Sequence, residues 1–365
     1  MKKNTKRKVL ILGGTGIIGQ NVSEEYLKNG YEVVVTTRSN RKSTRKGLSY
    51  LYVNARDLDM MRSLLYAQNF DVIVDLMVYT VREFEGIINF LLNLSKHYIF
   101  VSSYRIYADS PTPLVESSSR LIDTISDKDF LESGDYALVK TEQEAILSNL
   151  DRDHWTIVRP GITYGGNRFQ LGTFEASVIT TRSMLGLEVP IPSELLNTRC
   201  TLTSAKDVGF LIYALSGNKG AFRDDFNVMT SESVSWSDVS RIYSRVLNTR
   251  ITPVELSKFY EISENLWHLT YDRLYNRECS NEKIKSFLGI EDYQFVPILE
   301  GLESTLRDYK NTGCAFEYTQ NRTEGKIDRV LGNFQFGIVG KGGYVGYLKY
   351  VMGRVKIFDR IKKRM

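Results

Sequence analysis

The chain has 365 residues, 42% hydrophobic and 25% charged. This is the balance of an ordinary globular protein, long enough for one large α/β domain with a satellite lobe. No apolar run approaches the roughly 20 residues of a membrane span, and Cys200, Cys279 and Cys314 form neither a disulfide framework nor a metal-ligand spacing, which fits a reducing, cytoplasmic setting. The net charge of +5 is uneven: from Lys341 onward eight Lys or Arg face one acid, Asp359, so the rest is near neutral and lacks the footprint of a nucleic-acid binder.

The N-terminal lysines resemble the start of a leader, but the apolar stretch behind them is only residues 9–12 before glycines intervene, so it reads as a first strand. Residues 17–29 have a helical pattern that stops at Gly30, and 31–37 are β-rich. A basic loop over 38–49 leads to a strand at 51–53 and a helix at 57–68. Strands at 71–77 and 97–102 flank a helix at 81–94. After a polar loop over 109–134 come a helix at 136–150 and a strand at 155–158. This alternation predicts an α/β, Rossmann-type doubly wound parallel sheet.

Beyond Gly165 the pattern is less regular, with helices near 173–185, 207–215 and 237–247 and a strand at 226–229. The expected division is a dinucleotide-binding domain over 1–165 with 200–232 returning to it. A smaller C-terminal substrate lobe takes 166–199 and 233–312, and 313–365 form a basic appendage.

Residues 13–19 read Gly-Gly-Thr-Gly-Ile-Ile-Gly between the first strand and helix. Gly13 suits a tight turn, Gly16 lets backbone approach a pyrophosphate, and Gly19 lets helix and strand pack closely. The N–H groups around Thr15, Gly16, Ile17 and Ile18 then face the anion at a helix N-terminus. The second strand ends Thr36-Thr37-Arg38 with Arg41 close behind and no acid to accept from a ribose 2′-OH. Cationic donors suit a 2′-phosphate, which favours NADP over NAD; otherwise both arginines are solvated loop charges. Asn54 and Asp57 either border the adenine or serve as turn and N-cap residues.

Tyr136 and Lys140 stand four apart on one helix face. A free tyrosine titrates near pH 10, too high for a base at neutral pH; a lysine one turn away and a cationic nicotinamide favour the phenolate. Ser103 follows a strand at the carboxyl edge of the sheet, where its hydroxyl can bond a reacting oxygen.

With these marks the chain resembles the extended short-chain dehydrogenases/reductases, the NAD-dependent epimerase/dehydratase family. The resemblance rests on the glycine turn, Ser103-x-x-Ile106-Tyr107, Tyr136-x-x-x-Lys140, Arg159-Pro160-Gly161-x-x-Tyr164-Gly165, Asp207-Val208 and Phe226-Asn227-Val228, over roughly residues 8–310. It implies Tyr136 as acid/base, Lys140 as its tuner and a ribose ligand, Ser103 as hydroxyl partner and the Pro160 backbone beside the nicotinamide. It also implies a sugar substrate and a homodimer.

Tyr104 and Arg105 stand where dehydratases of the family carry an Asp-Glu pair, which disfavours elimination of water. The substrate-phosphate arginine falls on Cys200, with Arg199 one place off; Tyr104 and Arg199 are the substrate candidates. The reading is an epimerase or a reductase/dehydrogenase. The alternative is a non-catalytic nucleotide-sensing or RNA-binding protein on the same fold, for which the loop with Arg38, Arg41, Lys42, Arg45 and Lys46 speaks.

In the tail, Val345, Leu348, Met352, Val355 and Phe358 recur at helical spacing while Lys349, Lys356, Arg360 and Lys363 lie largely off that line. Such a helix either lies on an anionic membrane surface or packs on the body or a second subunit.

Overall fold

The computed structural model describes residues 6–263, 265–312, 319–337 and 340–359. Cys314, Arg360, Lys363 and the Phe358 side chain lie outside the described residues.

The described chain divides into two compact units. One holds the chain up to Gly165 together with Thr201–Ser233 and Glu278–Ile298; the other holds Gly166–Cys200, Val234–Arg277 and the chain from Leu299.

The first unit is built on a seven-stranded sheet. Its strands are β1 (Lys8–Leu12), β2 (Glu32–Thr37), β3 (Leu48–Tyr52), β4 (Val72–Asp75), β5 (Tyr98–Val101), β6 (Trp155–Arg159) and β7 (Asp224–Asn227). They lie in the order β7-β6-β5-β4-β1-β2-β3, all neighbours parallel. The helices are α1 (Ile17–Lys28), α2 (Leu58–Leu65), α3 (Val81–Leu94), α4 (Tyr136–Ser148) and α5 (Ala205–Leu215). The expected Rossmann-type α/β sheet is what the chain forms.

Both faces of the sheet are covered, so its inner strands carry continuous apolar runs rather than an alternation. Val9, Ile11, Val33, Val72 and Val74 pack under Val22 and Tyr26 of α1 and Leu211 and Leu215 of α5. Leu10, Leu12, Ile73 and Phe100 pack on the other side against Met61 of α2, Phe84 and Leu91 of α3 and Leu147 of α4. One strand residue thus serves one face and the next the other.

The boundaries differ from the sequence expectation at several points. β3 begins at Leu48, three residues early, because Val33 to Thr37 of β2 supply parallel partners from there. Asp57 lies outside α2 as its N-cap, accepting from Met60 N at 3.0 Å. The loop over 109–134 contains the helical turns Leu121–Thr124 and Lys128–Leu131. The helix expected from 173 starts at Ala176, because Gln170–Leu171 and Phe174–Glu175 pair as a tiny hairpin around Gly172, whose φ is +58°.

Glu278–Ile298, expected in the lobe, groups with the first unit through Asp207 and β7. Asp207 accepts from the Tyr293 hydroxyl at 2.8 Å and from Val296 N at 3.1 Å. Lys283 Nζ donates to Asp224 at 2.6 Å.

In the second unit, Arg182 of the helix Ala176–Met184 is fully buried, with Glu324 at 2.5 Å and Asp328 at 2.7 Å. Both carboxylates belong to the helix Arg322–Leu331, on which the helix Gly343–Arg354 packs. The tail helix stops at Arg354 and gives way to a short turn over Lys356–Asp359, so the single helical line expected through Phe358 is interrupted.

Candidate active site

The glycine turn is shaped by what a side chain would strike. Gly13 has φ +68°, and its N–H donates to Thr36 Oγ1 at 2.9 Å, tying the end of β1 to the end of β2. A Cβ at Gly19 would lie 2.3 Å from Gly14 Cα, so helix and turn touch through bare backbone. At Gly14, which the motif reading passed over, a Cβ would lie 2.5 Å from Ile11 Cγ2.

Gly16 differs: a Cβ there meets nothing within 4 Å. It is the N-cap of α1, no side chain caps the helix, and the first turn holds no acid. Open space before free N–H groups and a positive dipole end fits a pyrophosphate. A cavity of about 500 Å³ opens at this point, with Thr15, Arg38, Asn54, Arg56 and Met77 in its lining. Ile17 and Ile18 begin α1, and Ile18 packs on the core beneath.

Arg38 is exposed at the cavity rim. Arg41 donates to Ser39 Oγ at 3.1 Å instead. Arg56, which no sequence signal separated from other basic loop residues, lines the cavity and donates to the Val78 carbonyl. Asn54 accepts from Arg56 N at 3.3 Å, so it borders the cavity and also makes the turn.

The chemistry-bearing side chains gather where β4, β5 and α4 meet. Asp135 caps α4, accepting from Ala137 N at 2.9 Å, and so sets the start of the helix that presents Tyr136. Ser103 follows β5, and its Oγ accepts from Arg105 N at 3.2 Å at the head of a short turn. The Arg105 guanidinium lies 5.4 Å from the Tyr136 ring centroid and 3.2 Å from an Asp135 oxygen. Lys140 Nζ is 6.0 Å from the same centroid, so two cations flank one phenol.

Lys140 is buried, its Nζ donating to the carbonyls of Val101 at 2.9 Å and Met77 at 3.1 Å. Burial lowers its ammonium to about 8, while Asp75 and Glu144 pull the other way. Asp75, at the end of β4, accepts from Met77 N at 2.9 Å and from the Tyr98 hydroxyl at 2.8 Å. Burial raises its carboxyl to about 6. Both backbone groups of Met77 are therefore held, its N–H by Asp75 and its carbonyl by Lys140. Sequence reading missed Asp75; a lone acid inside Val-Ile-Val-Asp-Leu was the available signal.

Other motif residues make contacts within the protein. Pro160 gives its carbonyl to Tyr104 N at 3.1 Å, and Tyr104 is buried. Tyr107 donates to Asn227 Oδ1 at 2.7 Å and accepts from Arg159 at 3.0 Å. Arg199 lies in the second unit, exposed on the two-residue strand Arg199–Cys200, with its backbone N–H on Asn276 Oδ1 at 2.9 Å.

The model of the NAD dependent epimerase/dehydratase family matches residues 9–228. The chain belongs to this family. The family is one of NAD-dependent epimerases and dehydratases. Among curated proteins it is similar to the chloroplast stem-loop binding protein of 41 kDa b of Arabidopsis thaliana, 25% identical over 255 residues. That match covers 65% of this chain and 62% of the plant protein, less than two thirds of its length.

Among solved structures, the UDP-glucose 4-epimerase of Thermotoga maritima, with UDP-glucose, superposes with a TM-score of 0.63 at 17% identity, over 84% of this chain and 99% of that one. The UDP-glucose 4-epimerase of Bifidobacterium longum, with NAD+ and UDP, gives 0.64 at 16%, over 85% and 99%. The dTDP-glucose 4,6-dehydratase of Bacillus anthracis, with NAD, gives 0.64 at 15%, over 84% and 97%. At these identities the likeness is one of fold.

Proposed function

We propose that the chain is an NAD(P)-dependent sugar epimerase or reductase/dehydrogenase, with a nucleotide sugar as substrate. The observation that carries this is the Tyr136 phenol flanked by Arg105 and Lys140 at the carboxyl edge of the sheet that forms the glycine-lined cavity. Tyr136 removes a proton from a sugar hydroxyl, and the Ser103 hydroxyl bonds the same oxygen as it becomes a carbonyl. A bound nicotinamide supplies the hydride acceptor and donor. Lys140 keeps positive charge beside the phenol, which favours the phenolate. Release of the ketone makes a dehydrogenase; returning hydride to the other face makes an epimerase.

Arg105 stands against elimination of water, since a guanidinium paired with Asp135 takes the place of a carboxylate there. NADP is favoured because Arg38 and Arg56 supply cations at a cavity whose second strand ends without an acid.

A second reading, binding of a structured RNA, is favoured by the name of the Arabidopsis relative and by the exposed basic loop over 38–46. A screen of nucleotide sugars with NAD and NADP, beside Tyr136→Phe, tests the first reading. Turnover should drop by about 10²–10⁴ in the variant, with binding of reduced nicotinamide retained. Equal turnover in the variant would sink the assignment of Tyr136. Failure to bind either nicotinamide, with stem-loop RNA bound instead, would favour the second reading.

A further inference from the structure

The helix Gly343–Arg354 has two unlike faces. Its inner face is Gly346, Tyr350 and Gly353, all buried on the helix Arg322–Leu331 and the segment before it. A Cβ at Gly353 would lie 2.1 Å from the Arg322 carbonyl oxygen and one at Gly346 2.9 Å from that of Gln320, so the backbones meet without side chains between them. The Tyr350 hydroxyl donates to Asp328 at 2.8 Å and accepts from Gln335 N at 2.8 Å. Asp328 is itself paired with buried Arg182, so the rotation of the tail helix is set by buried polar bonds as well as by shape.

The outer face is the apolar line read from the sequence. Val345 and Leu348 are 63% and 61% exposed, and Met352 and Val355 are exposed with them. Tyr344 and Ile357, the latter at 67%, are exposed next to these residues in the chain. A helix in a water-soluble body ordinarily turns such a line inward; here the glycine face has taken that place. Exposed Lys341, Lys349 and Lys356 accompany the line, Lys356 with Glu261 at 2.7 Å. The sequence after it adds Arg360, Lys362, Lys363 and Arg364 against Asp359.

We propose that this face is an interfacial anchor that docks on an anionic lipid surface. The two signals such binding needs are both present, aliphatic and aromatic side chains to enter the headgroup boundary and several basic residues close by. Charge selects among occupants. A symmetric contact with a second copy would bring the same cationic segment against itself, the arrangement Coulomb repulsion opposes. A nucleic acid would satisfy the lysines but leave valine, leucine, methionine and isoleucine against phosphates. An anionic membrane meets the charge and the apolar line together.

The test is co-sedimentation of the full chain with vesicles of phosphatidylcholine alone and of phosphatidylcholine mixed with phosphatidylglycerol. The bound fraction should be at least about tenfold higher on the anionic vesicles and fall as salt is raised. The double variant Leu348→Glu with Met352→Glu should lose this binding while its circular dichroism and nicotinamide binding stay unchanged, since both side chains already face outward. Equal binding to both vesicles, or binding undiminished in the variant, overturns the proposal. So does light scattering that shows a dimer split by the variant while anionic vesicles are ignored; the occupant is then a second copy.

Discussion

Lys140 reaches from α4 to the end of β5, its Nζ 2.9 Å from the carbonyl oxygen of Val101. The same ammonium bonds Met77, whose N–H is held by Asp75. The Lys140 ammonium thus joins α4 to the end of β5 directly and to Asp75 of β4 through the two backbone groups of Met77, which lines the cavity beside the glycine turn.

The charge on Lys140 sets a pH limit. Burial lowers its ammonium to about 8, and the Asp75 charge opposes that fall. Nicotinamide binding and turnover should therefore decline above about pH 8. Asp75→Asn removes the supporting carboxylate, so the decline should begin at lower pH. Fluorescence titration of reduced nicotinamide against pH, in both proteins, measures it; coincident midpoints would contradict the coupling. For stability the sign is the reverse of a usual lysine. Between about pH 8 and the ordinary lysine value of about 10.4 the unfolded chain binds more protons, so this group's contribution to stability rises with pH there.

Arg105 beside the Tyr136 ring is the second lever. Arg105→Gln should cut turnover roughly tenfold by removing one cation from the phenol. Arg105→Glu, which restores a carboxylate where dehydratases of the family have one, should cut it further and bring no elimination, because it sets an anion against Asp135. Steady-state kcat with an accepted nucleotide sugar, and product analysis for loss of water, decide the point.

Gly16 and Gly19 separate binding from folding. Gly16 has φ −77°, open to any residue, and free space at its Cβ position, so Gly16→Ala should leave Tm nearly unchanged while weakening nicotinamide binding. Gly19→Ala drives a methyl into the Gly14 backbone and should lower stability by about 1–3 kcal/mol. Thermal melts and binding titrations on the pair test this; a large Tm loss at Gly16 would be the contrary result.

Arg182→Met strips the buried partner from Glu324 and Asp328. Two uncompensated carboxylates in the core of the second unit should lower stability by about 3–5 kcal/mol. Adding Glu324→Gln and Asp328→Asn should recover much of it. Urea unfolding of the single and triple variants reads both numbers.

The local rules written along the chain settled the sheet, the glycine turn and the Tyr136–Lys140 pair. Val-Leu-Ile-Leu before Gly13 is a two-face buried strand on its own evidence, and four residues on a helix return to one face wherever that helix is put. What the chain alone left open depends on partners far away in sequence. β3 starts at Leu48 because β2 is its neighbour, and Asp75 matters because Lys140, 65 positions on, lands above it. The periodicity of the tail marked an apolar line but not its direction. Close backbone contact at Gly346 and Gly353 and the bond from Tyr350 to Asp328 turned it outward, and only packing could choose between the two faces.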